Sequence, residues 1–313
     1  MSSSLVFGPV KSRRLGSSLG VNNIPYKFCT YSCVYCQLGA TRSLTTQRRS
    51  FYKPEEIVRQ VEEFLRKAQV KVDYVSFVPD GEPTLDVNLK IEIEMLKERV
   101  GKPIAVLTNS SLLWMEDVRS SLYEADFVSI KVDSVSEDVW RRVNRPHSSL
   151  KLERILEGIL EFSRSYRGKL VTETMLVQGL NDSEESLRYT AGFIAQVKPS
   201  VAYISIPVRP PAEKWIKPPS DSSLVAAYSI FKETVDAQVE LLASIEPPPE
   251  VRGDAVKYLV STVSVHPLKL EYAVKILEDS GLNPSDVLDE LVKSEVISKV
   301  EYGGSTFIIK RFK

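Results

Sequence analysis

The sequence predicts an α/β fold: a partial (β/α)6 barrel of TIM type followed by a small winged-helix domain. Three observations predict it. Short apolar, β-branched runs recur at 73–78, 103–108, 126–132, 170–177 and 201–208, and helix-patterned segments separate them. A proline-rich break, "IEPPPE", then interrupts the pattern near residue 246. The runs are continuously apolar rather than alternating, as expected of strands buried on both faces of a parallel sheet.

In chain order, "SLGVNNI" is expected to be the first strand. "PEEIVRQVEEFLRKA" carries Pro54 suited to a first helical turn and sets Ile57, Val58, Val61, Phe64 and Leu65 on one face. "NDSEESLRYTAGFIAQV" offers Asp182 as N-cap, with Glu185 three residues later in a capping-box spacing. Strand then helix, six times over, gives successive βα units that close into a full or partial barrel. This domain is expected over 1–246.

A second domain is expected over 250–313. Val256, Leu259, Val260 and Val263 mark one helix; Ala273, Ile276 and Leu277 mark another; Val287, Leu288, Leu291 and Val292 mark a third, opened by Asn283 and Pro284. The final stretch reads as a hairpin turning at Gly303 and Gly304. Three short helices and a terminal hairpin suggest a winged helix-turn-helix.

Composition places the chain among soluble globular proteins, with 43% hydrophobic and 26% charged residues. Its 41 basic and 41 acidic side chains cancel, so binding to nucleic acid or membrane would need a local patch. No leader pattern and no run of about 18 apolar residues is present. A cytoplasmic protein without membrane contact is expected.

All three cysteines, Cys29, Cys33 and Cys36, fall within eight residues. Such clustering points to a metal or to catalysis, not to a disulfide framework. Three thiolates at C-x3-C-x2-C can ligate three irons of a cubane cluster and leave the fourth open. The open iron can chelate the amino and carboxylate groups of S-adenosylmethionine, and an electron passed into the sulfonium would release a 5′-deoxyadenosyl radical. Two other readings stand beside this one. Zinc would need His147 or His266 as a fourth ligand, giving a zinc-stabilised nucleic-acid-binding protein. The thiols could also be small buried hydrophobes.

The motif, with Tyr35 before the last cysteine, resembles the signature of the radical S-adenosylmethionine superfamily. "PDGEP" at 79–83 is similar to that superfamily's Gly-Gly-Glu element, with Asp80 in place of the first glycine and Gly81 and Glu82 retained. The resemblance implies a [4Fe–4S] cluster on Cys29, Cys33 and Cys36, and an external one-electron donor. It also implies a cofactor pocket shaped by Tyr35, Gly81, Glu82, Asn109 of "LTNS", and Lys131 and Asp133 of "KVDS", with Lys131 in place of that family's serine; Glu173 joins them on the residues alone. Asn109 and Asp133 could equally be a helix cap or a surface polar residue. Glu173 lies inside the apolar "LVTETMLV" and must have a partner.

The stretch from Phe7 to Gly39, with "WRRVNRPH" and "VRPPAEKWIKPPS", resembles a narrower group related to the wyosine-forming tRNA synthases. Those synthases carry further N-terminal cysteines for a second cluster, which this chain lacks. The group implies modification of an RNA (tRNA) base; radical modification or activation of a protein or peptide partner is the alternative. Lys11, Arg13 and Arg14, and Arg42, Arg48, Arg49 and Lys53 with Phe51 and Tyr52, could hold phosphates and stack a flipped base. They could also be a solvated face or ligands of the cofactor. Lys310, Arg311 and Lys313 end a winged helix that could meet nucleic acid or a protein, though its helices are acidic. Tyrosines are read as packing residues.

Overall fold

The computed structural model describes residues 4–67, 70–245, 247–248, 251 and 253–311. The chain opens with an antiparallel hairpin of β1 (Val6–Ser12) and β2 (Gly16–Val21). Two-residue strands β3 (Phe28–Cys29) and β4 (Ser43–Leu44) then pair in parallel, with the cysteine loop between them. Next come β5 (Tyr74–Phe77), β6 (Ile104–Thr108), β7 (Phe127–Lys131), β8 (Lys169–Met175), β9 (Val201–Ser205) and β10 (Gln238–Leu242). The eight-stranded sheet has the order β1-β2-β5-β6-β7-β8-β9-β10 and is parallel from β2 onward.

Helices α1 (Pro54–Lys67), α2 (Leu89–Val100), α3 (Glu116–Leu122), α4 (Glu137–Asn144), α5 (Leu152–Ser165), α6 (Glu184–Val197) and α7 (Asp221–Thr234) lie between the strands. Strand residues such as Val75, Phe77, Ile104, Val106 and Ile130 are wholly buried, which is why their sequence runs do not alternate. Helix α1 starts at Pro54 and buries Ile57, Val58 and Val61, each burial contributing roughly 1.5–3 kcal/mol.

Two edge strands extend the expected barrel. β1 contains Pro9 and a bulge between Phe7 and Val10, so its sequence does not read as a strand; proline is admitted at an edge because no neighbour needs its N–H. β10 is mostly half-exposed and lacks the continuous apolar signature. The expected cap of α6 is also corrected. Ser183 is the N-cap and accepts from Ser186 N, whereas Asp182 Oδ1 accepts from Gly179 N at 2.7 Å in the preceding turn.

The C-terminal part contains α8 (Ala255–Val263), β11 (Leu268–Lys269), α9 (Leu270–Asp279), α10 (Pro284–Lys293), β12 (Ile297–Tyr302) and β13 (Ser305–Lys310). Its sheet order is β11-β13-β12, and a core around Leu259, Ala273, Leu277, Ile297 and Ile308 fills it. Gly303 and Gly304 make the hairpin turn with φ of 54° and 72°, a pair of positive angles that side-chain-bearing residues resist. Residues 246, 249, 250 and 313, on which the expected boundaries and Lys313 fall, lie outside the described residues.

This part touches both flanks of the barrel. Tyr258 OH donates to Pro9 O on β1, and Tyr302 OH donates to Pro207 O beyond β9, at 3.1 and 2.9 Å. Arg13 also links the two edges, donating from the β1–β2 turn to Leu241 O on β10. Among the described residues, no helix is long and apolar enough to cross a membrane.

Candidate active site

Strand ends of a parallel barrel converge on one face, where loops build a site. Here that face opens into a cavity of about 420 Å³ lined by all three cysteines. The cysteine loop is tied down by backbone hydrogen bonds. Ser32 N and Val34 N donate to Asn144 O and Val143 O at the end of α4, and Glu82 N donates to Phe28 O. Gly81 allows the last of these contacts, because a Cβ there would sit 1.8 Å from Phe28 O.

Each thiol sulfur faces a side-chain nitrogen donor, and Cys29 also the backbone N–H of Tyr31. Lys27 Nζ lies 3.1 Å from Cys36 Sγ, Asn109 Nδ2 3.5 Å from Cys29 Sγ, and Asn144 Nδ2 3.4 Å from Cys33 Sγ. Lys27 and Ser110, next to Asn109, are buried yet hold positive φ angles of 59° and 69°, a strain that surrounding structure must impose. Burial, aided by Glu82, pushes the Cys29 thiol up to about 11, and burial with Asp133 pushes Cys33 up to about 12. Metal ligation removes those protons, so loading the site releases acid.

Glu82 is 1% exposed and organises the neighbouring strand ends. Its Oε1 accepts from Thr84 N, Thr84 Oγ1 and Thr108 Oγ1, and Oε2 accepts from Asn109 N at 2.7 Å. Burial raises its pKa against these bonds. Asp80 lines the same wall, held by Asn22 through Oδ2, while its buried Oδ1 has no hydrogen-bond partner. Burial pushes Asp80 up to about 6.

Across the cavity, Glu173 on β8 accepts from Lys131 Nζ and Ser205 Oγ, each at 3.0 Å, and pairs with Arg14. Burial would raise its pKa, but Arg14 and Lys131 outweigh burial and hold it well below the usual carboxylate range. The partner demanded by an acid in an apolar strand is therefore present twice over. Lys131 also lies 5.2 Å from the centre of the Tyr35 ring.

Tyr35, Gly81, Glu82, Asn109, Lys131 and Glu173 all line the cavity. Asp133 does not: it sits behind Tyr35, accepting from Tyr35 OH, from Asn144 Nδ2 at 2.6 Å and from Met175 N at 2.8 Å. Its role in this geometry is to fix Tyr35 and Asn144. Sequence reasoning missed Lys27 and Asn144 as donors to sulfur; the proximity of Lys27 to Cys29 was the only available signal.

The basic, aromatic stretch after the cysteines is largely spent on internal contacts. Arg48 donates to Thr84 O and Asp86 O and pairs with Asp117. Arg49 stacks on Phe28 and Phe51, and Arg42 on Tyr26. Lys11, Arg13 and Arg14 line the cavity. At the C-terminus, Arg311 pairs with Glu295 at 3.1 Å.

The donor set fits an iron–sulfur cluster better than zinc. A single zinc ion holds sulfurs at about 2.3 Å, yet among the described residues no three His, Cys, Asp or Glu side chains are grouped to hold one ion. His147 turns to Ser149, and His266 Nδ1 faces Gln37 Nε2 at 2.8 Å. A cubane spreads its sulfur ligands further apart, and N–H donors toward each sulfur suit anionic thiolates.

Comparison with known proteins agrees with this chemistry. The chain is 45% identical to a UPF0026 protein of Methanocaldococcus jannaschii over 99% of its own length and 97% of that protein's. It is 32% identical to a UPF0026 protein of Helicobacter pylori, covering 91% of each chain. The fold matches the crystal structure of a radical SAM methyltransferase from Sphaerobacter thermophilus with a TM-score of 0.54 and 16% identity, over 72% of this chain and 67% of that one. The profile of the radical SAM superfamily matches residues 23–189, taking in the cysteine loop, the Glu82 turn and four of the parallel strands, and by that match the chain belongs to this superfamily.

Proposed function

We propose that this radical SAM enzyme modifies a base of an RNA, a tRNA in the first instance. The observation that carries the reading is the charge of the cavity: six basic side chains line it against three acidic ones. Of those acids, burial raises the pKa values of Asp80 and Glu82, while Glu173 is held anionic. A pocket of that sign suits a substrate carrying phosphate. The likeness of the N-terminal stretch to the wyosine-forming group supports the same substrate class.

When bound, a [4Fe–4S] cluster and S-adenosylmethionine supply one-electron cleavage of the sulfonium and hydrogen-atom abstraction, fed by an external electron donor. This chain's residues provide the setting. Cys29, Cys33 and Cys36 would hold three irons, with Lys27, Asn109 and Asn144 donating to the sulfurs and stabilising their negative charge. Glu82 and the buried, unpartnered Asp80 Oδ1 would accept from the N–H groups of the cofactor's amino nitrogen. Tyr35, fixed by Asp133, and Lys131, fixed by Glu173, form the opposite wall and exclude water. The α8–α10 helices with their small sheet are read as a winged helix that buttresses the barrel and presents a docking face.

The test is anaerobic reconstitution, reduction and incubation with S-adenosylmethionine, with and without bulk tRNA. The expected result is 5′-deoxyadenosine whose yield rises with tRNA, and deuterium transfer from labelled RNA into it. A yield that ignores RNA but responds to a protein fraction would overturn the substrate class.

A further inference from the structure

The cavity that the cysteines line also contains a cation that its surroundings do not neutralise. Arg209, in the loop after β9, donates from Nε to Pro267 O and from Nη1 to Gln37 Oε1, at 3.3 and 3.4 Å. Both contacts are at the long end of hydrogen bonding, and both acceptors are neutral. A guanidinium has five N–H donors, so most of its capacity remains unspent. Among the described residues, it forms no ion pair with a carboxylate.

Its neighbours intensify the charge. Burial, with Arg14 adding to it, pushes Arg209 down to about 10. His266 packs edge-on against Phe7 and is pushed down to about 3 by burial and the two arginines, so it stays neutral. Arg14 must share Glu173 with Lys131, two cations to one carboxylate. Lys11 and Arg13 line the same cavity. S-adenosylmethionine would not supply the missing anion, since it carries no phosphate and its sulfonium offsets its carboxylate.

We infer that Arg209, with Arg14 beside it, is a subsite for a phosphoryl group of the substrate, held in the same cavity as the cysteines. A planar guanidinium fork matches two oxygens of a tetrahedral oxyanion. A phosphate's further oxygens and second charge can engage Arg14, whereas a carboxylate held by Arg209 would leave Arg14 unmet. The inference rests on the reading of this cavity as the radical SAM active site.

The experiment uses reconstituted full-length holoenzyme with S-adenosylmethionine, titrated with inorganic phosphate or with acetate at constant ionic strength, with binding read by calorimetry. The wild type is expected to bind phosphate saturably and acetate at least tenfold more weakly. Arg209→Gln is expected to weaken phosphate at least tenfold, and Arg209→Lys to recover part of the loss, with the affinity for S-adenosylmethionine the same in all three. Three results overturn the inference: no saturable phosphate binding to the wild type, acetate binding as tightly as phosphate, or loss of cofactor affinity in place of phosphate affinity in Arg209→Gln. The wild-type comparison decides even if Arg209→Gln fails to fold. Because the readout needs no turnover, phosphate binding without 5′-deoxyadenosine would count against the radical reading alone, and RNA-dependent turnover without phosphate binding would count against this subsite alone.

Discussion

Two glutamates, Glu173 partly buried on the cavity wall and Glu92 fully buried on α2, occupy opposite surroundings. Glu173 meets Arg14, Lys131 and Ser205 and is kept ionised. Glu92 meets another acid, Asp86, and accepts only from Asn23 Nδ2, at 3.2 Å; burial and Asp86 raise its pKa well above the ordinary value. Glu92 and Asp86 can hydrogen-bond each other only when one of them holds a proton, and Asn23 Oδ1 is buried without a partner. The difference teaches that burial alone does not set the state of an acid; the sign of its neighbours does. The front, on the cavity side, keeps its acid ionised between two cations, whereas the back tolerates a proton-sharing pair.

The largest expected effect lies at the front. Cys33→Ala removes a cluster ligand, so iron retained after reconstitution and 5′-deoxyadenosine formation should both fall to background; full iron content in the purified variant would sink the ligand assignment. Glu173→Gln leaves Arg14 and Lys131 facing each other, which should cost about 3 kcal/mol in urea unfolding at pH 7. A carboxylate with a depressed folded pKa stabilises above its unfolded pKa, and this contribution fades as pH falls through the folded value. The gap between variant and wild type should therefore narrow toward acid.

Glu92→Gln should act in the reverse sense. A carboxyl group with a raised folded pKa stabilises fully below its unfolded pKa and loses that contribution as pH rises through the folded value. Burial and Asp86 hold Glu92 well above the usual carboxylate range, so the wild type should weaken as pH climbs above that usual range. The glutamine variant should be more stable at pH 8 by on the order of 1–2 kcal/mol and indistinguishable at pH 4. If both glutamine variants shift stability in the same direction at pH 8, the contrast between front and back is wrong. The smallest effect serves as a reference outside both regions. Tyr258→Phe removes one bond to Pro9 O and should cost about 1 kcal/mol with little pH dependence.

Much of the fold was legible because parallel strands declare themselves by unbroken apolar runs, and the runs at 73–78, 103–108 and 126–132 each contain a strand within a residue or two of their ends. β1 and β10 were not, since edge strands need neither two apolar faces nor a full ladder. At the site, three clustered cysteines and the Asp80–Glu82 turn are local patterns. Lys27 and Asn144 as donors to sulfur are not legible, because lysine and asparagine are common and Asn144 reaches Cys33 from 111 residues away. Asp133 shows the converse: its motif placed it in the pocket, but a hydrogen bond from Tyr35 turns its carboxylate behind the wall.

Gln37 immediately follows the last cysteine, and its amide donates to Val265 O at 3.1 Å, faces His266 and accepts from Arg209. A chain emerging from the ribosome reaches its N-terminal parts first, so this knot is tied only after residue 266 has been made. The ties from Ser32 and Val34 to the end of α4 and from Glu82 to Phe28 need nothing beyond residue 144. The loop is thus fastened in two stages, first by the barrel and last by the C-terminal part, so a chain cut before residue 265 would keep the cysteine loop's inner ties and lose its outer one.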